Sequence, residues 1–278
     1  MMNSRELRQA LAAAVMAARA AGAVMRKNFH SVKRVNESHQ HDIKLELDVR
    51  CQKLIERTLR RPFPEVAFLG EEGISGSPTA PARWVVDPID GTVNFAYGIP
   101  HAAVSIALQT RTAAPGAEDG PNPAETDYQT QVGVIYDPFC DELWTAIRHG
   151  PARLNQRIVH ASRRGHLSEC IISVGFAKWA ETIDGMLPTL ERLLHRVRKV
   201  RIMGSAALSL AYVASGRFDA YVETGLRLWD IAAGGLILEC AQGEFWHRRL
   251  PAKDAYEINA NNGLLRPQLN KLASPKRS

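Results

Sequence analysis

Leu7, Leu11, Val15, Ala18, Ala21 and Met25 recur at steps of three and four near the start of the chain, the spacing of one buried helix face. Asn3 and Glu6 stand ahead of that face like the two members of a capping box, so a helix is predicted over 3–29. Val49, Leu54, Ile55 and Leu59 predict a second over 47–60, ended by Pro62 and Pro64. Short apolar runs of strand character follow at VAFLG (66–70), RWVVD (83–87), AAVSIALQT (102–110) and QVGVIYDP (131–138). Between the last two, the stretch 113–127 is rich in Pro, Gly and acidic residues and reads as an enlarged, solvated, mobile hairpin loop.

Past Gly150 strand and helix patterns alternate. ECIISVGF (169–176), VRIMG (200–204) and FDAYVE (218–223) read as strands, and MLPTLERLLHRV (186–197), SAALSLAYVASG (205–216) and WDIAAGGLILECAQ (229–242) as helices. No internal repeat or long linker interrupts the chain. The pattern predicts a mixed α+β and α/β layered sandwich made of two lobes, 1–146 and 147–278, joined in one body.

Composition narrows the class. With 278 residues, 45% of them hydrophobic, the chain can bury a full core without disulfide or metal staples. A formal charge of +6 is mild for this length and lacks the dense basic stripe of a dedicated nucleic-acid domain, although a basic patch is compatible with it. Cys51, Cys140, Cys170 and Cys240 form no CxxC pair and read as buried, reduced thiols of a cytosolic protein. QALAAAVMAA, the longest uncharged run before Arg19, is too short to span a bilayer. A cytoplasmic location without membrane contact is therefore expected.

The candidate chemistry centres on WVVDPIDGTVNF (84–95), which ends an apolar strand with two aspartates three apart. Pro88 keeps Asp87 extended, so its carboxylate can point past the sheet edge while Asp90 turns back toward it. Carboxylates that close repel, and one takes up a proton unless a cation relieves them. Carboxylate and backbone carbonyl oxygens are the donors that Mg²⁺ and Ca²⁺ prefer, and the Ile89 carbonyl lies between the two aspartates. Gly91 lets the backbone approach an anion, and Thr92 begins a helix whose free N–H groups favour phosphate. On these residues alone a tight turn fits as well as a cation site.

Two further segments add weight. FLGEEG (68–73) ends a strand at Glu71 and Glu72, and WD at 229–230 opens a helix with Asp230. Strand ends and helix starts are where layered α/β proteins place ligands. Glu71, Asp87, Asp90 and Asp230 carry four negative charges that two Mg²⁺ would cancel, a count suited to a two- or three-metal phosphoryl site.

Taken in order, GEE (70–72), WVVDPIDGTVNF (84–95) and GSAALSLAYVASGRFDAYVE…LWDIAAGG (204–235) resemble the motifs of the inositol monophosphatase family over nearly the whole chain. The resemblance implies a layered αβαβα sandwich of the sugar-phosphatase type. It implies Glu71, Asp87, the Ile89 carbonyl, Asp90 and Asp230 as ligands of two or three Mg²⁺ ions. Gly91 and Thr92 correspond to the phosphate-contacting turn. Ser205, Ala206 and Glu223 fall where relatives contact the polyol, with Asp90 and Asp230 also facing the substrate. Asp48, Glu71 and Thr92 correspond to the catalytic group that orients a water and takes its proton. The implied reaction is metal-assisted hydrolysis of a phosphate monoester without a covalent enzyme intermediate, which must lower the barrier by roughly 20 kcal/mol or more.

One segment departs from the family pattern. Relatives read D-(apolar)-V-T-x-x-D before the second helix, whereas this chain reads DIKLELD (42–48). Leu45 stands where a threonine is expected, Lys44 replaces a small apolar residue, and Glu37 stands where a lysine is usual. By resemblance this segment governs an additional ion, so the changes bear on a third metal and on lithium sensitivity. Lys44 reads as a solvated helix-entry lysine and His101 as a capping or surface histidine. His39 and His41 have the spacing of a metal pair but no third ligand nearby. HRVRKVR (195–201) reads as a solvated helix end leading into a strand.

The substrate implied is myo-inositol monophosphate or a similar small polyol phosphate. The NF after DPIDGT and Glu223 with WD favour that branch over relatives that cleave fructose bisphosphate or nucleotide 3′-phosphates, and histidinol phosphate fits too. Some members of the family also partner the transcription machinery, so an RNA- or transcription-associated binding role is the alternative. A purely binding protein has no need of all four carboxylates. The resemblance also implies a homodimer.

Overall fold

Asn3 caps the first helix as its spacing predicts. Its side-chain oxygen accepts the N–H groups of Arg5 and Glu6 at 2.9 and 3.0 Å, and the Glu6 carboxylate accepts the Asn3 N–H at 2.7 Å. The computed structural model describes residues 2–33, 35–39, 42–112, 128–176, 179–250 and 254–273. In chain order these form α1 (Ser4–Asn28), β1 (Val35–His39), β2 (Asp42–Leu45), α2 (Glu46–Arg60), β3 (Ala67–Gly70), β4 (Gly73–Ser75), β5 (Ala82–Asp90) and α3 (Thr92–Ala96). There follow β6 (Ala103–Arg111), β7 (Tyr128–Asp137), β8 (Glu142–Ile147), β9 (Arg153–Leu154), β10 (Arg157–Ile158), β11 (Ile171–Val174), α4 (Ala180–Leu194) and β12 (Lys199–Arg201). The chain ends with α5 (Ala206–Ala214), β13 (Ala220–Leu226), α6 (Leu228–Cys240), β14 (Glu244–Leu250), β15 (Ala255–Asn261) and α7 (Arg266–Ala273).

Strands pair into an eight-stranded sheet, ordered β10-β9-β8-β7-β6-β5-β3-β4, and a five-stranded sheet, ordered β12-β11-β13-β15-β14. The larger sheet is antiparallel except where β3 runs alongside β5. In the smaller, β11 runs parallel to β12 and β13, and β15 antiparallel to β13 and β14.

Three apolar clusters join five layers, the central one reaching both sheets. The buried stripes of α1 and α2 pack on one face of the large sheet, with Met25, Ile55 and Leu59 meeting Trp84, Ile106 and Val134. Helices α5 and α6 fill the space between the sheets. A helix wedged between two sheets has no solvent face, and α6 is accordingly apolar all round and buried from Ile231 to Leu238. Helices α4 and α7 cover the outer face of the small sheet through Leu193, Leu269, Ile172 and Val222. The order helix, sheet, helix, sheet, helix is the expected αβαβα sandwich.

Some details differ from expectation. Helix α4 starts at Ala180 and runs through Pro188, which forfeits one helical hydrogen bond, instead of opening near it. Cys140 is exposed, whereas Cys51 and Cys170 are buried thiols. The HRVRKVR run, by contrast, follows its expectation: it leaves the end of α4 and enters the edge strand β12, with Arg196, Arg198, Lys199 and Arg201 exposed. Residues 113–127 and His41 lie outside the described residues, as do the side chains of Glu37, His39 and Lys44. Among the described residues no helix is long and apolar enough to cross a membrane.

Candidate metal and phosphate site

Asp87 and Asp90 close β5, and the ladder slips between them: Asp87 pairs with Ser105 but Asp90 with Ala103. One extra residue is therefore inserted on the β5 side, a β-bulge. In a regular strand residues three apart point to opposite faces. The bulge cancels that alternation and turns both carboxylates to one side. Pro88, which has no N–H for the ladder, sits inside it.

Asp230 arrives from the first turn of α6, where its Oδ2 accepts the Arg227 N–H at 2.7 Å. One carboxylate oxygen from each of Asp87, Asp90 and Asp230 lies within 4.8 Å of the others. Glu71 follows β3, anchored by its N–H to the Val86 carbonyl at 3.1 Å, and faces the same cavity. This cleft, about 510 Å³ in volume, is also lined by Ile89, Gly91, Thr92, Ser205, Ala206 and Glu223. Asp48 stands behind it, buried, with its Oδ1 3.5 Å from the Thr92 hydroxyl and its Oδ2 accepting the Leu45 N–H at 2.7 Å.

The electrostatics follow from burial. Desolvation, then the charges of Glu71, Asp90, Asp230 and Asp48, raises Asp87 well above the usual carboxylate range. Asp230 is raised in the same way by burial and then by Asp90 and Glu71. Burial pushes Asp48 up to about 8 against the pull of the Leu45 N–H. Asp87, Asp90 and Asp230 form no ion pair with a lysine or arginine among the described residues. Buried oxygen donors this close, negative and without a cationic side chain between them, are the donor set of a hard divalent cation.

Asp90 is held from the far side of the cleft. Its carboxylate accepts the Ser205 hydroxyl, the Ala206 N–H at 3.2 Å and the Ala207 N–H at 3.0 Å, so it caps the start of α5. Burial raises Asp90 to about 6, and these donors restrain the rise. Ser205 and Ala206 thus line the cleft with their hydrogen-bond donors already engaged by Asp90. The Thr92 hydroxyl donates to the Ile89 carbonyl at 2.8 Å. Gly91 precedes it with φ at +92°, and a Cβ there would lie 2.9 Å from the His101 carbonyl oxygen, so the turn requires glycine.

Glu223 occupies another wall of the cleft. It accepts the Tyr221 hydroxyl, and burial raises it to about 7. Sequence reasoning missed Tyr221, although it stands two residues before Glu223 and so shares its face of β13. It also missed Gly175, and it used Asn94 only as part of the NF pair that follows the aspartate motif, without a role for its side chain. His101 is half-buried against the Tyr212 ring at 6.0 Å, neither a helix cap nor a surface residue.

Fold and site together define a layered αβαβα protein whose buried acidic cluster opens into a polar cleft, the plan of a metal-dependent phosphatase. The family model described as "Inositol monophosphatase family" matches residues 6–117 and 124–274. An inositol monophosphatase of Mesembryanthemum crystallinum is 37% identical over 240 residues, covering 84% of this chain and 83% of the relative. A Nus factor SuhB of Xylella fastidiosa is 37% identical over 233 residues, covering 82% and 78%. The crystal structure of the extragenic suppressor protein suhB from Bartonella henselae superimposes with a TM-score of 0.83 at 32% identity, covering 95% of this chain and 98% of that one. The chain belongs to the inositol monophosphatase family, a family of phosphoric monoester hydrolases.

Proposed function

We propose that this protein is a cytoplasmic, Mg²⁺-dependent phosphatase that hydrolyses myo-inositol monophosphate or a similar small polyol phosphate, working as a homodimer. Asp87, Asp90 and Asp230 carry the reading: acidic side chains from two distant parts of the chain meet within 4.8 Å beside a cleft large enough for a sugar-sized ester. Glu71, Asp87, the Ile89 carbonyl, Asp90 and Asp230 would hold two or three Mg²⁺ ions. Magnesium bound there supplies a Lewis acid that neutralises phosphoryl charge and makes a water easier to ionise.

The protein's own groups do the rest. The Gly91–Thr92 turn offers backbone N–H groups to the phosphoryl oxygens. The Thr92 hydroxyl, between the Ile89 carbonyl and Asp48, orients the attacking water. Asp48, raised to about 8 by burial, lies in the range where a carboxyl takes and releases a proton near neutral pH, and Glu71 assists it. Glu223 accepts a hydroxyl of the leaving alcohol, and the wall at Ser205 and Ala206 shapes the space around it. The inositol monophosphatase name of the relative from Mesembryanthemum crystallinum supports a polyol ester over fructose bisphosphate, histidinol phosphate or nucleotide 3′-phosphate.

A phosphate-release screen across inositol, sugar, histidinol and nucleotide phosphates, with Mg²⁺ and then with chelator, tests this reading. The expected result is Mg²⁺-dependent release fastest from an inositol monophosphate. Silence toward the whole panel would sink it. The relative named Nus factor SuhB favours a second role, contact with RNA or the transcription machinery. A salt-dependent RNA mobility shift that survives Asp90→Asn would support that role and separate it from catalysis.

A further inference from the structure

Asn94 lies two residues past Thr92 in α3, and its side chain reaches two other parts of the chain. Its Nδ2 donates to the His101 carbonyl at 2.9 Å and to the Met203 carbonyl at 2.8 Å, with the Gly204 carbonyl at 3.4 Å. A side-chain amide nitrogen carries two hydrogens, so it serves two acceptors at once. His101 belongs to the entry of β6, and Met203 and Gly204 to the loop that runs into α5. Gly91 nests in the same place: a Cβ on it would meet the His101 oxygen at 2.9 Å and the Gly204 oxygen at 3.2 Å. Carbonyl oxygens from two segments therefore crowd beside the turn, and the Asn94 amide is the donor between them. The next residues after Gly204 are the ones that hold Asp90, through the Ser205 hydroxyl and the Ala206 and Ala207 N–H groups.

We infer that Asn94 is a positioning residue, clamping the Gly91–Thr92 turn to the 203–207 segment so that the turn and the Asp90 carboxylate keep one fixed relation. The catalytic consequence rests on the phosphatase reading above; the consequence for metal binding does not. Without the amide, the carbonyls are left facing one another with no donor, which favours relaxation of the loop. Asp90 moves with the loop, because its partners are part of it. A residue that merely filled space would be replaced better by leucine, close to asparagine in size, than by alanine. A donor clamp gives no such advantage, since leucine leaves the carbonyls dry and unpaired.

The test compares Asn94→Leu and Asn94→Ala in the full chain. Circular dichroism and thermal melting first establish that each is folded at the assay temperature. Mg²⁺ affinity by isothermal titration calorimetry and kcat and KM for the preferred monoester follow. Both variants should bind Mg²⁺ about tenfold more weakly and turn over about 30-fold more slowly, with KM within about threefold and leucine no better than alanine. Folded variants with wild-type Mg²⁺ affinity and kcat overturn the inference whatever their melting temperature. Leucine restoring what alanine loses overturns it too. If both unfold, Asn94→Ser, which keeps one donor, should show an intermediate loss, and wild-type values for it overturn the clamp. Wild-type protein that binds Mg²⁺ but cleaves no monoester defeats the phosphatase reading alone, and the titration still decides Asn94. Wild-type protein that binds no Mg²⁺ overturns both.

Discussion

Gly175 lies directly against the carboxylate of Glu223: a Cβ on Gly175 would overlap the Glu223 Oε2. The Gly175 N–H donates to the Val222 carbonyl at 3.1 Å, which ties the backbone at this point to the strand carrying Glu223. A larger residue at 175 cannot back away, so the carboxylate must move instead. Glu223 is also fixed by the Tyr221 hydroxyl, and together these contacts decide where its carboxylate sits in the cleft.

Gly175→Ala should therefore act on substrate binding. The methyl group displaces Glu223 while leaving Asp87, Asp90 and Asp230 untouched, so KM should rise about tenfold with a smaller change in kcat. Steady-state kinetics of Gly175→Ala beside Glu223→Gln check this, and the two should fall in the same direction. A Gly175→Ala protein with wild-type KM would show that the carboxylate has room to spare.

Asp90→Asn should remove turnover and keep the fold. The Ala207 N–H and the Ser205 hydroxyl share one Asp90 oxygen and the Ala206 N–H uses the other. An asparagine oxygen placed at the shared position keeps the first two bonds and loses the third, so the start of α5 stays largely capped. The charge that a cation requires is gone, and kcat/KM should fall roughly 10³-fold or more. Melting in chelator should be unchanged or higher, because one of the mutually repelling carboxylates has been neutralised. An active, Mg²⁺-dependent Asp90→Asn enzyme would contradict the assignment.

Local signals carried much of this far. The capping box at Asn3 and Glu6, the apolar stripe of α1 and the strand before Asp87 were legible because spacing alone determines them. The convergence of Asp87 and Asp90 was expected from Pro88 and their spacing, but the bulge against β6 that produces it was not, since only pairing reveals it. Strand β14 carries a histidine and two arginines among its seven residues, too little alternation to mark a strand, and it forms because β15 supplies a partner. Gly175 escaped notice, and Asn94 was read only as part of the NF pair, for a related reason: each matters through groups far along the chain. The roles of Ser205 and Ala206 shift in emphasis, since their donors are engaged by Asp90 across 115 and 116 residues of sequence.

Metal-free protein should lose stability as pH rises. Asp90, Glu223 and Asp48 titrate at about 6, 7 and 8, above the 3.8 and 4.5 that such carboxyls have when unburied. Between those limits the folded chain binds more protons than the unfolded one, so these groups favour folding fully below about pH 4 and progressively less through pH 8. Mg²⁺ bound at the Asp87, Asp90 and Asp230 cluster would supply opposing charge and relieve the part of the penalty that falls on Asp90. In chelator the Tm should fall between about pH 5 and pH 8.5, and the rise in Tm on adding Mg²⁺ should be larger at the upper pH. Scanning calorimetry at both pH values, with and without Mg²⁺, measures this; a chelated protein whose Tm climbs steadily over that range would refute it.

Leu45→Thr should destabilise the chain even though threonine is the residue that the family resemblance leads one to expect there. Leu45 is the N-cap of α2 and makes no side-chain capping bond, while its side chain is 1% exposed against the α1 and α2 core. Threonine would gain a capping hydrogen bond worth about 1 kcal/mol. It would lose apolar burial worth roughly 2 kcal/mol. The capping need is already met in part, because Asp48 accepts the Leu45 N–H at 2.7 Å. Loss of burial wins, so the Tm should drop by about 2–4 °C. Thermal denaturation of Leu45→Thr beside Leu45→Ala isolates the cap: threonine should melt above alanine and below leucine, and a threonine variant more stable than wild type would show that capping outweighs packing at the entry to α2.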